Sequence, residues 1–163
     1  MAEADVFEPD DRVELVDGEV FEMSPIGSRH AACVMRLTQL VLPAVNERAI
    51  VGVQHPVQVG ELSQPQPDVV LLRPRANFYA DHHAMPPDVL LVIEVADTSL
   101  RHDLLRKMPL YIAGGVPEVW VVDLIANVVH VARGAERQER RAGDSLAPLV
   151  FPDLVLEVAA ILP

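Results

Sequence analysis

The chain is predicted to fold as an α/β protein: a mixed central sheet with an N-terminal β-hairpin, two main helices and a C-terminal hairpin. Three observations predict it. Val69–Leu72 and Val89–Ala96 are nearly continuous apolar runs, each behind a Pro-Asp pair, as expected of strands buried on both faces. Residues 28–46 and 100–113 carry helical signals, and segments of strand character flank Asp17–Gly18 and a turn near Ala126. The order hairpin, helix, strands, helix, hairpin makes a mixed sheet rather than a βαβ repeat.

Each element follows from its residues. Asp17–Gly18 supplies the positive φ angles of a two-residue turn between Arg12–Val16 and Glu19–Met23. Ser24, Pro25 and Gly27 end that hairpin. From Ser28 to Asn46, Ala31, Val34, Leu37, Leu40, Val41 and Ala44 recur at helical spacing, and Pro43 should kink the helix or end it early. Ile50–Gln54 and Pro56–Val59 read as short strands. Asp97, Thr98 and Ser99 offer N-caps for a helix over 100–113, which Gly114–Gly115 close and Pro117 keeps closed. Glu118–Leu124 and Asn127–Ala132 form the second hairpin, Arg137–Arg141 a further strand, and Leu154–Val158 a last strand or helix.

Composition bounds the function. A chain of 163 residues, half of them hydrophobic, fits one domain with a real core. The expected division is an acidic, flexible segment over 1–11 and a single domain over 12–163. Twenty-four acids against 13 bases, a net charge of −11, argue against a protein that coats nucleic acid. Residues 1–22 hold nine of those acids and one base, so the body is nearly neutral and leaves room for a local basic groove. One cysteine, Cys33, forms no internal disulfide. The acidic start lacks the apolar region of a signal peptide, and no apolar stretch is long enough to span a bilayer, so a cytoplasmic protein is expected.

Three residues carry chemistry. Asp68 opens one apolar strand and Glu94 interrupts another, where a carboxylate is costly unless paired or metal-bound. On adjacent strands the two can converge on a hard cation, which takes oxygen ligands at about 2.0–2.1 Å when it is magnesium. Asp88 shares the parity of Glu94 but lies roughly 20 Å away along the strand, too far to share an ion. Lys107 is the only lysine among 13 bases. The strand continues for roughly 10 Å past Glu94, and the helix from Ser99 to Lys107 descends about 12 Å, which returns the ammonium to the level of Glu94. Plainer readings stand beside this one: a buried Glu94–Lys107 ion pair, an Asp103–Lys107 helix salt bridge, and Asp68 as a turn cap.

Pro67-Asp68, Ile93-Glu94-Val95 and Lys107 resemble the PD-(D/E)XK signature of the restriction-endonuclease-like superfamily. The wider match resembles the Uma-two-type endonuclease family. It runs through 14–19, Met23-Ser24-Pro25 with His30, Pro67-Asp68-Val69, 94–99, Asp103 with Lys107, and 115–123. The superfamily's usual lysine position, two residues after the glutamate, holds Ala96, and Leu104 stands where a basic residue is common. The resemblance implies a metal-dependent endonuclease that hydrolyses phosphodiester bonds in DNA. Asp68 and Glu94 would hold Mg²⁺ or Mn²⁺, with the Val95 carbonyl as a third ligand, and Lys107 would orient or deprotonate the attacking water or stabilise developing charge. A domain this small cannot wrap a duplex, so a homodimer is expected. The rival is a non-catalytic regulatory or binding module that keeps the fold, which the net charge favours.

Weaker signals surround this set. His30 can line the site or be an ordinary histidine. Glu14 can be a further acidic ligand, against the reading of a solvated hairpin charge. Asp81-His82-His83 lacks metal-site spacing and reads as a solvated loop. Arg133, Arg137, Arg140 and Arg141 are interleaved with Glu136 and Glu139 and read as an exposed mixed-charge strand.

Overall fold

The computed structural model describes residues 11–163, so the acidic segment expected over 1–11 lies outside the described residues apart from Asp11. β1 (Val13–Val16) and β2 (Glu19–Glu22) form the first hairpin, with Asp17 at φ 50° and Gly18 at φ 78°. Both turn residues are left-handed, as a type I′ turn requires. α1 (Ser28–Val45) buries Cys33, Val34, Leu37, Val41 and Val45 along one stripe. It does not end at Pro43. Pro43 and Gln39 are both exposed, so the carbonyl that loses its helical donor meets water.

β3 (Ile50–Val53), β4 (Val69–Leu72), β5 (Val89–Ala96), β6 (Val119–Asp123), β7 (Val128–Arg133) and β8 (Glu136–Arg141) form one six-stranded sheet in that order. Only the β5–β6 pair is parallel. Every residue of β4, β5 and β6 is buried, because helices and loops cover both faces of the sheet's centre. One face packs on α1 and on α4 (Val158–Ile161); the other packs on the β5–β6 crossover. The expected strand at Pro56–Val59 does not form. Val57, Gln58 and Val59 donate to Pro65, Ala84 and Ser63, three separate partners, so no ladder develops, and one bridge, Val57 to Ala84, remains. The C-terminal segment is both strand and helix: β10 (Leu156–Glu157) pairs with β9 (Ser145–Leu146) and runs into α4.

The crossover helix is interrupted. α2 (Leu100–His102) gives way to a π-helical turn over Asp103–Lys107, and α3 (Met108–Ala113) follows. The Met108 N–H reaches back five residues to the Asp103 carbonyl. Pro109 explains the widening: it has no N–H for the Leu105 carbonyl, and its ring would crowd that carbonyl in a regular α-helix. The expected N-cap does not operate, since the Ser99 hydroxyl donates to Asp103 Oδ2 (2.6 Å). At the other end, a Cβ on Gly114 would sit 2.6 Å from Val59 Cγ1, and Gly115 adopts φ +101°, so both positions require glycine.

A buried charge off the candidate site went unread in the sequence. Glu118 is fully buried and accepts from Trp120 Nε1 (2.8 Å), Arg133 Nε (2.9 Å) and the Leu149 N–H (2.7 Å). Arg133 therefore ties β7 to the strand before it, while Arg137 and Arg141 are exposed on β8, as expected for a mixed-charge strand. Cys33 is fully buried, and burial pushes its thiol up to about 12. A thiol held in its neutral form is a poor nucleophile. Native protein at pH 8 should therefore react with a thiol-directed disulfide reagent only at the rate of unfolding, whereas denatured protein should react at once.

Candidate active site

β4 pairs with β5 so that Val69 faces Ile93 and Val70 faces Val92. Carried one step further, this register sets Asp68 opposite Glu94, on the sheet face that also carries Val70, Val92 and Ala96. Directly opposed residues have Cβ atoms about 4.5–5.5 Å apart, so the two carboxylates share a small region. The crossover packs on this same face. Its π turn brings Lys107 down to Glu94, with Nζ 2.7 Å from Oε1.

The ammonium has a second partner that alters the expected site. Glu14 Oε2 lies 2.9 Å from Lys107 Nζ. Glu14 is buried rather than solvated, because β1 turns Glu14 and Val16 inward instead of Val13 and Leu15. Side-chain parity in a strand is absolute, so this choice of face decides where the carboxylate goes. Glu14 also accepts from the Gln66 N–H (3.1 Å), and its Oε1 meets His102 Nε2 at 3.3 Å. The plain Asp103–Lys107 helix salt bridge is not formed; Asp103 is buried and bonded to Ser99.

Asp68 is satisfied on both oxygens. Oδ2 accepts the Val95 N–H at 2.7 Å, and Oδ1 faces His30 Nε2 at 3.1 Å. His30 thus lies at the site. Its Nδ1 is the one buried side-chain nitrogen or oxygen without a partner among the described residues. The bond to Asp68, offset in part by burial, raises the imidazole above its usual range.

The electrostatics follow from the sharing of one ammonium among several carboxylates. Burial opposes the charge on Lys107, but Glu94, Glu14 and Asp103 outweigh it and hold the amine above its ordinary range. Burial, with Asp103, Asp68 and Glu14 adding repulsion against the pull of Lys107, raises Glu94 well above the carboxylate range. Asp103 is raised by burial in the same way. These groups line a cleft of about 630 Å³ whose walls carry Glu14, Glu22, Asp68, Glu94, Asp97 and Asp103 against Arg12 and Lys107. That excess of negative charge on hard oxygen donors suits a divalent cation. Among the described residues no three His, Cys, Asp or Glu side chains are grouped as a complete metal cage. Magnesium does not need one, since it is commonly held by one or two carboxylates with water and phosphate oxygens completing its shell.

The sequence reading passed over Tyr111 and His102. Tyr111 is fully buried and donates its hydroxyl to Glu94 Oε1 at 2.8 Å. Its i+4 spacing from Lys107 was the available signal. His102 lines the cleft and packs on the Phe21 ring at 4.5 Å between centroids. The loop holding Asp81, His82 and His83 is exposed, with Asp81 and His82 paired to Arg75. Asp88 accepts the Met85 N–H at the opposite end of β5. No described helix is long and apolar enough to cross a membrane.

Residues 2–159 match the model of a family, Uma2, described as "Putative restriction endonuclease". Among solved structures the chain is similar to a "putative nuclease belonging to DUF820" from Anabaena variabilis. The TM-score is 0.72 at 15% identity, covering 91% of this chain and 88% of that one, which is a likeness of fold. No curated protein matches the chain.

Proposed function

This chain belongs to the Uma2 family, and on that premise we propose that it is a metal-dependent nuclease that hydrolyses phosphodiester bonds in DNA. One observation carries the reading. Two carboxylates from adjacent buried strands, Asp68 and Glu94, open together on a cleft whose single lysine is locked against one of them. Asp68 and Glu94, with the Val95 carbonyl, would hold Mg²⁺ or Mn²⁺. Such an ion supplies an activated water and offsets charge on the scissile phosphate.

The chain's own groups do the rest. Lys107, paired with Glu94 and Glu14 and raised by them, is read as an ammonium rather than as the base that deprotonates water. Its role is to stabilise charge and to orient Glu94. His30 and the Val95 N–H hold the Asp68 carboxylate in place. His102 and Arg12 are donors on the cleft wall for phosphate oxygens. A second copy would extend the footprint on a duplex, in the manner of a cytoplasmic homodimer.

The test is nicking of supercoiled DNA in Mn²⁺ or Mg²⁺, with Asp68→Ala as the control. Metal-dependent nicking lost in that variant is expected. Absence of cleavage of DNA by folded wild-type protein with both ions would return the chain to the rival reading, a binding module on a nuclease fold.

A further inference from the structure

Glu94 is a candidate ligand whose two oxygens are treated unequally. Oε1 receives Lys107 Nζ at 2.7 Å and the Tyr111 hydroxyl at 2.8 Å. A carboxylate oxygen offers two lone-pair directions, so these two donors occupy it fully. No described group donates to Oε2. Since His30 Nδ1 is the only buried, partnerless side-chain nitrogen or oxygen described, Oε2 opens on the cleft that Glu94 lines.

Tyr111 is built for this task. It sits on α3 one turn past Lys107, and its side chain is fully buried, so the ring has one place to go. The ammonium is a point charge shared between Glu94 and Glu14 and imposes little direction on Oε1, whereas the hydroxyl of a buried, rigid ring fixes one.

We propose that Tyr111 is a positioning residue that restricts Glu94 to one cleft-facing oxygen, and thereby sets the site's preference for Mg²⁺ over Ca²⁺. The proposal rests on the reading that Asp68 and Glu94 hold a divalent ion. Mg²⁺ demands near-octahedral geometry at about 2.0–2.1 Å, which one oxygen per carboxylate suits. Ca²⁺ takes roughly 6–8 oxygens at about 2.3–2.6 Å and accepts both oxygens of a carboxylate. A Glu94 released from Tyr111 regains a lone pair on Oε1 and the freedom to turn, so it gains most as a calcium ligand.

The test is calorimetric titration of Mg²⁺ and Ca²⁺ into wild-type protein and Tyr111→Phe, without DNA. The wild type should bind Mg²⁺ at least as tightly as Ca²⁺. Tyr111→Phe should shift the ratio of dissociation constants toward Ca²⁺ by about tenfold, the scale of lost support to a metal ligand. A general loosening of the fold would weaken both ions alike and leave the ratio unchanged, and an unchanged ratio overturns the proposal. Should Tyr111→Phe fail to fold, the wild type alone decides: a preference for Ca²⁺ overturns the proposal and a preference for Mg²⁺ supports it. Wild-type protein that binds neither ion overturns the metal reading itself, and the proposal with it. Binding with an unchanged ratio overturns the assignment of Tyr111 alone.

Discussion

Lys107→Met should cost about 3–5 kcal/mol of stability, the penalty for removing one partner of a buried ion pair. The ammonium is 3% exposed and lies within 3 Å of two carboxylates, so its removal strands Glu94 and Glu14 as uncompensated buried charges. The loss should depend on pH. Without Lys107 the folded-state ionisation of Glu94, already raised, moves higher still, while the unfolded value stays in the ordinary carboxylate range. Between those two values the folded protein binds more protons than the unfolded chain, so stability falls as pH rises. The deficit of Lys107→Met should therefore be smaller at pH 5 than at pH 8 in denaturant melts. Adding Glu14→Gln and Glu94→Gln should restore much of it, because the two carboxylates in direct contact with the ammonium are then neutral. A deficit that is small and independent of pH would mean that Lys107 is not the charge holding this cluster together. The Glu94–Lys107 ion pair, one of the plainer readings of the sequence, is present with Glu14 as a second partner, so a role toward substrate and a role in the fold are not exclusive.

Glu94→Gln should separate metal binding from folding. The glutamine carbonyl can occupy the Oε1 position and keep both Lys107 and Tyr111, and its amide then faces the cleft where Oε2 was. Without divalent ions the variant should melt close to wild type, because Lys107 keeps Glu14 as its counter-charge and the repulsion of Glu94 by Asp103 and Asp68 is relieved. With them it should lose the ion-induced gain, which for one site amounts to about 2.7 kcal/mol at 100 times the dissociation constant. In the wild type that gain should shrink as pH falls, since the proton-bound acid is not a ligand, and the raised ionisation of Glu94 moves the decline toward neutrality. A full ion-induced gain in Glu94→Gln would remove Glu94 from the ligand set. Asp68→Asn removes one carboxylate charge from the site but also disturbs two existing contacts. Both Asp68 oxygens already have donors, so its amide would face either the Val95 N–H or His30, at about 1–3 kcal/mol. Asp88→Asn, at the far end of β5, should leave the ion response intact.

The spine of the fold was legible because its signals are one-dimensional. The apolar runs of β4 and β5, the Asp17–Gly18 turn and the stripe on α1 are each written in a few consecutive residues. The return of Lys107 to Glu94 was also readable, because strand rise and helix rise are constants. Glu14 was misjudged because strand parity offers two faces, and only packing against the crossover chooses between them. The failure of Pro43 to end α1 depends on which side of the helix meets water. Glu118 was missed because, although Trp120 lies two residues on, its other donors, Arg133 and Leu149, come from a strand and a loop that no local pattern links to it. The π turn had a visible cause in Pro109, but its consequence for Asp103 and Ser99 depends on how the widened turn packs in three dimensions.

The seclusion of the only lysine gives the protein an internal reporter. Amine-acylating reagents modify exposed lysines within minutes, and here the sole lysine side chain lies beneath two carboxylates. Acylation of Lys107 must wait until the hairpin carrying Glu14 swings off the crossover or the whole chain unfolds. A single peptide mass then records that event, without an introduced probe and without background from other lysines. Followed over time, the rate of labelling measures how often the floor of the cleft comes open, and whatever fills the cleft should slow it.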